Sequence, residues 1–295
     1  MFRTIINHQE YQYINLISRI VKQGKTVNTR NGKTRCIIGA NMNFDLDNSI
    51  MPILTTKKVA WRTCLKELFW FINGNTSNTL LKDQNVKIWN DNASREFLDS
   101  RGLYHLKEDD LGPVYGHQWR YFNATYTDSE ADYSGKGADQ LQYIIDSLNS
   151  PDTRYSRRLI MSAWNPIQIN EMALPPCHVL TQFNVLEDEL HCSMYQRSGD
   201  VGLGVPFNIA SYSFLTHIIG KMTGLKPTKF HYHIGNAHIY EEHISALNKQ
   251  ILRRPYNFPT IEIANKYTDI EDYTMKDIKI KNYKYHEKIS MDMKA

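Results

Sequence analysis

Between Ala173 and Tyr212 the chain reads ALPPCHVLTQFNVLEDELHCSMYQRSGDVGLGVPFNIASY, and three features meet there. Pro175 and Pro176 restrict the backbone and withhold two N–H donors just before Cys177. Two arms of strand character, His178–Leu186 and Leu190–Gln196, flank the acidic turn Glu187-Asp188-Glu189, which is the pattern of a β-hairpin. The second arm runs into Arg197-Ser198-Gly199-Asp200, then Gly202, Gly204 and Pro206, where an apolar helix opens. A thiol, an arginine beside a serine and a glycine-rich approach to a helix N-terminus are the parts of a nucleophile next to an anion site. The same residues also make two core strands, a surface loop and an inert buried cysteine. Residue types alone leave both readings open.

Working outward toward the N-terminus, Tyr13, Ile17, Ile20 and Val21 predict a helix over residues 5–23, with Gly24 as its stop. The turn-rich TVNTRNGKTR follows and predicts a hairpin around Asn31-Gly32. Its arginines are either solvated charge or a loop offering Arg30 to a phosphate. Met42, Phe44 and Leu46 alternate as a strand. Residues 56–73, TKKVAWRTCLKELFWFIN, predict an apolar helix closed by Gly74. Glu67 on it has Leu65, Leu68, Phe69 and Trp70 around it, and a carboxylate in that company gains a raised pKa suited to proton donation. Pairing with Lys66 or Lys57 on a polar stripe is the competing assignment. DLGPVYGHQWR predicts a packed loop, and Leu141, Ile144, Ile145 and Leu148 an amphipathic helix. Arg157 and Arg158 precede the strand LIMSAW. Adjacent arginines face opposite sides of a strand, so a site using both needs them at its irregular end.

Toward the C-terminus, Pro206 to Thr223 reads as a helix stopped by Gly224, FHYHIG as a strand, and Glu241–Leu252 as a helix before two or three last strands. His231, His233, His238 and His243 are close in sequence, but no carboxylate or cysteine is spaced with them, so no metal is expected.

The 295 residues carry 22% charged and 41% hydrophobic side chains and a net charge of +4, values of an ordinary globular chain. That charge permits anionic small molecules and does not argue for nucleic acid as the main partner. Four scattered cysteines without a CxxC pair indicate neither a disulfide framework nor a zinc knuckle. With no apolar run of signal or transmembrane length, a cytoplasmic location is expected, the nucleus being the alternative, and no membrane partner. No repeat or linker interrupts the chain, and one domain over residues 1–295 is expected.

Taken in order, LTTKKVAW, ELFWFING, KIWNDNASREFLDS, DLGPVYGHQWR, DYSGKGADQL, SRRLIMSAWNP, ALPPCH, QRSGDVGLGVPFNIASY and GNAHIYEEH resemble the thymidylate synthase family. The resemblance implies an α/β (α+β) fold: one domain around a large mixed β-sheet, helices on one side, the sheet face forming a homodimer interface. It implies reductive methylation of dUMP to dTMP with 5,10-methylenetetrahydrofolate as one-carbon and hydride donor, leaving dihydrofolate. A deoxypyrimidine-nucleotide hydroxymethylase on the same fold is the alternative, and weak RNA binding a secondary property. By the same resemblance Cys177 matches the nucleophile and Arg197 the arginine near thiol and phosphate. Glu67 matches the general acid, and Tyr240 the residue implicated in removing the ring proton. Arg30, Arg197 and Ser198 match the phosphate site, completed by Arg157 and Arg158 from the partner. Asn208 matches the base reader, and His238 with Tyr240 the sugar-binding pair. Asp200 matches the carboxylate that reads the pterin, and Ile88, Trp89, Asn92, Leu203, Gly204, Phe207 and Met293 its wall, with the tail to Ala295 closing over the ligands.

Three segments depart from the family pattern. The loop after the first helix, NTRNGKTR, is one residue shorter than usual, so Arg30 carries the phosphate assignment with Arg35 as alternative. GNAH has Asn236 where the family has an acid. The end, Lys294-Ala295, replaces a small apolar pair and is expected to loosen closure. No dihydrofolate reductase segment is present, so a monofunctional form is expected.

Overall fold

Alternation along the long strands decides the architecture. Ala40, Met42 and Phe44 are buried while Asn41 and Asn43 are exposed, and Phe230, Tyr232 and Ile234 are buried between His231 and His233. One face of the sheet is therefore covered and the other open. The computed structural model describes residues 8–293. In chain order its elements are α1 Glu10–Gln23, β1 Lys25–Thr29, β2 Gly32–Asp45, α2 Trp61–Ile72, α3 Thr79–Lys82, α4 Arg95–Ser100, α5 Tyr115–Tyr121 and α6 Gln140–Asn149. They continue with β3 Ile160–Ser162, β4 His178–Leu186, β5 Glu189–Asp200, α7 Gly204–Thr223, β6 Lys226–Tyr240, α8 Ile244–Gln250, β7 Thr260–Ile263 and β8 Ile278–Lys281.

Six strands form one sheet in the order β1-β2-β6-β5-β4-β3, and β7 and β8 form a separate pair. Only β5 and β6 run parallel within the large sheet, joined by α7 as a crossover helix; the other pairings are antiparallel. This is a mixed sheet with helices on one face, as expected from the sequence. The 20 residues of α7 are buried almost all round, because it lies between the sheet and α2 and α6. It ends at Gly224, whose φ of +75° is the left-handed conformation that favours glycine.

Three local expectations are corrected. The helix expected over residues 56–73 starts only at Trp61. Upstream, the buried carboxylate of Glu10 takes the N–H groups of Thr55 and Thr56 and both threonine hydroxyls, at 2.6–3.0 Å, and holds them in a bend outside the helix. DLGPVYGHQWR is not a loop throughout: Pro113 and an extended Val114 launch α5. Gly116 lets that helix press on residues 74–75, since a Cβ there would lie 2.7 Å from the Asn75 carbonyl oxygen. The turn of the first hairpin falls on Arg30 and Asn31, one residue earlier than expected, because Thr29 pairs with Gly32.

The Glu10 cluster yields a stability prediction. Glu10→Ala strands four buried donors at once and is expected to cost roughly 3–5 kcal/mol. A lower denaturation midpoint with unchanged m-value checks it.

Candidate active site

Cys177 is the last residue before β4. Its N–H donates to the Tyr115 hydroxyl at 2.6 Å, and its carbonyl accepts from the Arg197 N–H at 2.9 Å across the β4–β5 ladder. A register shift between His178 and Leu180 breaks the regular alternation at this point. Arg197 folds back over the same segment. Its Nε donates to the Pro176 carbonyl at 2.7 Å and its Nη2 to the Pro175 carbonyl at 2.8 Å. Nη2 also lies 3.7 Å from the Cys177 sulfur. The two prolines thus supply carbonyls that hold the guanidinium beside the thiol. Burial pushes the Cys177 thiol above its ordinary pKa, and the Arg197 charge opposes that shift.

A cavity of about 450 Å³ opens beside Arg197. The β1–β2 hairpin contributes Val27, Thr29, Arg30 and Asn31, β2 Thr34 and Cys36, β5 Arg197 and Ser198, and β6 Asn236, His238 and Tyr240. Strand register is what assembles it: Cys36 pairs with His238 and Thr34 with Tyr240 on one side, and Ser198 with Asn236 on the other. Arg30 lines this cavity. Arg35 does not; it donates to the Val21 carbonyl and pairs with Glu241. His238 lies below its ordinary pKa, chiefly through burial, with Asp200 pulling the other way.

Glu67 is buried on α2 and accepts from the Trp89 indole at 2.8 Å. Burial raises its pKa to about 7, against the indole bond, which lowers it. The alternative lysine pairing does not form: Lys66 donates to the Gln84 carbonyl and Lys57 to the Gly202 carbonyl. Lys57 is itself buried, and its pKa falls to about 8 for that reason, with Asp200 opposing. Asn208, on the second turn of α7, donates through Nδ2 to His178 Nε2 at 2.7 Å. Burial drops the His178 pKa to about 3, so the ring is neutral, and in the tautomer that carries its proton on Nδ1 it accepts this bond.

Asp200 accepts from the Gly202 N–H at 2.8 Å. Ile88, Leu203, Gly204 and Phe207 are half-buried, and Trp89 and Asn92 are buried. The Asn92 amide nitrogen is buried without a hydrogen-bond partner. The tail lies close by: His243 Nε2 donates to the Asp292 carbonyl at 2.9 Å, and Met291 abuts Gly202. Met293 is exposed, and Ala295 lies outside the described residues.

Arg157 and Arg158 are not brought to this cavity. They are exposed just before β3, at the far edge of the sheet. Among the described residues no three His, Cys, Asp or Glu side chains converge as a metal would require. Sequence reasoning missed Tyr115, His178 as the partner of Asn208, and Trp164, whose ring lies 5.6 Å from the Arg197 guanidinium carbon. Only the place of His178 next to Cys177 could have flagged one of them.

A thiol beside a guanidinium that lines a cavity with a second arginine and a serine is an arrangement suited to nucleophilic chemistry on an anionic small molecule. The family model described as thymidylate synthase matches residues 11–295. Relatives include a bifunctional dihydrofolate reductase-thymidylate synthase of Zea mays, 49% identical over 97% of this chain and 54% of its own length. A second bifunctional protein of that name, from Plasmodium chabaudi, is 48% identical over 98% of this chain and 49% of its own. A thymidylate synthase of Human herpesvirus 8 is 48% identical over 97% of this chain and 84% of its own. The chain belongs to the thymidylate synthase family. It spans about half the length of the bifunctional relatives.

Proposed function

We propose that the protein converts dUMP to dTMP with 5,10-methylenetetrahydrofolate as co-substrate. One observation carries the reading: Arg197 lies 3.7 Å from the Cys177 sulfur and lines the same cavity as Arg30, Ser198, His238 and Tyr240. A phosphate dianion bound by these arginines brings the nucleotide to the thiol. The Cys177 thiolate adds to carbon 6 of uracil, and the ring electrons collect as an enolate that makes carbon 5 nucleophilic. Asn208, with Nδ2 engaged by His178, keeps its carbonyl oxygen for the ring N–H of uracil. His238 and Tyr240 hold the sugar hydroxyl, and Tyr240 assists removal of the carbon 5 proton. Glu67, protonated below about pH 7, supplies a proton as the folate departs. Carbon 5 attacks the folate methylene, and loss of the carbon 5 proton and of the folate amine leaves an exocyclic methylene. Hydride from the folate reduces that carbon to methyl as the carbon 5–carbon 6 double bond reforms and expels the Cys177 thiolate, leaving dihydrofolate. Asp200, with Ile88, Trp89, Asn92, Leu203, Gly204, Phe207 and the tail through Met293, forms the wall that receives it, and the unpartnered Asn92 amide fits that role.

The reading includes a homodimer formed through the helix-free face of the sheet, where Ile38, Leu180 and Tyr195 are exposed. In that assembly Arg157 and Arg158 complete the partner's phosphate site. One domain, a cytoplasmic location and no more than weak RNA contact belong to the same proposal. Incubation with 5-fluoro-dUMP and methylenetetrahydrofolate tests it. Intact mass should rise by both ligands, on the Cys177 peptide; absence of that adduct in folded protein rejects the reading.

Asn208 gives a specificity prediction. Asn208→Asp exchanges the amide for a carboxylate that matches cytosine better than uracil. The kcat/KM ratio of dUMP over dCMP is expected to fall by about 10²-fold or more, read by product mass spectrometry on both nucleotides.

A further inference from the structure

Arg197 is asked to do two things, to face the sulfur and to line the anion cavity, and a long arginine has many rotamers in which it does neither. Two of its N–H groups are occupied by the carbonyls of Pro175 and Pro176, at 2.8 and 2.7 Å. These bonds fix the edge of the guanidinium and leave its plane free to tilt about them. The remaining restraint comes from a different segment: the guanidinium carbon lies over the Trp164 ring, 5.6 Å from its centroid, within cation–π range. Trp164 is itself held. Ser162 brackets it, accepting from the Trp164 N–H at 3.2 Å and donating to the Trp164 carbonyl at 3.1 Å. The next residue, Asn165, is buried and donates to Gln168 at 2.9 Å, while Gln168 in turn accepts from Gln118 at 2.9 Å. Hydrogen bonds thus fix the backbone that carries the indole, whereas the plane of the guanidinium has no such second restraint of its own.

We propose that Trp164 is a positioning residue, whose ring face sets the tilt of the Arg197 guanidinium so that one arginine points at the Cys177 sulfur and the anion cavity together. The inference deepens the proposed function, resting on its assignment of Cys177 as nucleophile. Removing the face leaves the charge present but wandering, so the thiolate loses part of its stabilisation and the phosphate part of its clamp. A ring of another kind keeps most of the effect.

The test is the rate at which iodoacetamide alkylates Cys177, read at that peptide by mass spectrometry from pH 6 to 9, in wild type, Trp164→Leu and Trp164→Phe. Trp164→Leu is expected to react roughly three- to tenfold more slowly at pH 7, with its inflection moved to higher pH, and Trp164→Phe within about twofold of wild type. In an Arg197→Met background Trp164→Leu should add nothing. If Trp164→Leu fails to fold, Trp164→Met replaces it. Alkylation of Trp164→Leu at the wild-type rate, equal slowing by Leu and Phe, or additivity with Arg197→Met would each overturn the proposal. Alkylation needs no turnover. A chain inert toward dUMP that still shows the Trp164 effect therefore fails the functional reading and not this one.

Discussion

Cys177→Ala is expected to lower kcat by on the order of 10⁴-fold or more, to the limit of detection, while dUMP still binds. The size of the loss follows from the chemistry. Carbon 5 of uracil is a poor nucleophile until a group adds at carbon 6, and among the described residues Cys177 is the thiol that Arg197 faces. The other cysteines cannot substitute. Cys64 and Cys192 are fully buried, the Cys64 thiol is pushed well up by burial, and Cys192 is raised to about 12 for the same reason. Cys36 lines the cavity from β2, outside the Pro175–Pro176–Arg197 clamp. Binding should survive because Arg30, Ser198 and His238 are untouched. Spectrophotometric turnover beside calorimetric dUMP titration separates the two. Residual turnover above about one percent would place the nucleophile elsewhere.

Glu67→Gln is expected to cost about 10²–10⁴ in kcat and to flatten one limb of the pH profile. With its pKa near 7, Glu67 is a proton donor below neutrality and loses that capacity above it, so wild-type activity should fall as pH rises through about 7. Glutamine cannot donate that proton at any pH. The effect of the substitution on stability is the opposite of its effect on rate. A carboxyl whose folded pKa lies above the unfolded value of 4.5 contributes stability that is complete below pH 4.5 and lost as pH rises through 7. The ionised side chain then costs roughly 3 kcal/mol, which glutamine avoids while still accepting from Trp89. Glu67→Gln should therefore be slower yet more resistant to urea at pH 8, and no more resistant at pH 4. Equal stability at both pH values would contradict the raised pKa.

Much of the frame was legible in order along the chain. Alternation announces β4, β5 and β6, and Gly24, Gly74 and Gly224 mark helix ends. These are local signals, carried by residues a few positions apart. Apolar spacing over 56–73 predicts a longer helix than forms, because Glu10, far away in sequence, claims the Thr55 and Thr56 N–H groups. The Asn31-Gly32 pair suits a tight turn in isolation, while the register of β1 on β2 moves the turn one residue earlier, to Arg30 and Asn31.

By itself the sequence determined most of the strands and helices, the ordered motifs that mark the family, and, through them, which cysteine is proposed to react. Periodicity and residue chemistry are properties of short segments and need no partner. Only the tertiary structure decided which arginine meets the cavity, that Trp89 and not a lysine bonds Glu67, that His178 turns the Asn208 amide, and that Trp164 lies over Arg197. Each of these joins side chains from segments well separated along the chain. Their meeting depends on strand register and helix packing, which no local pattern encodes.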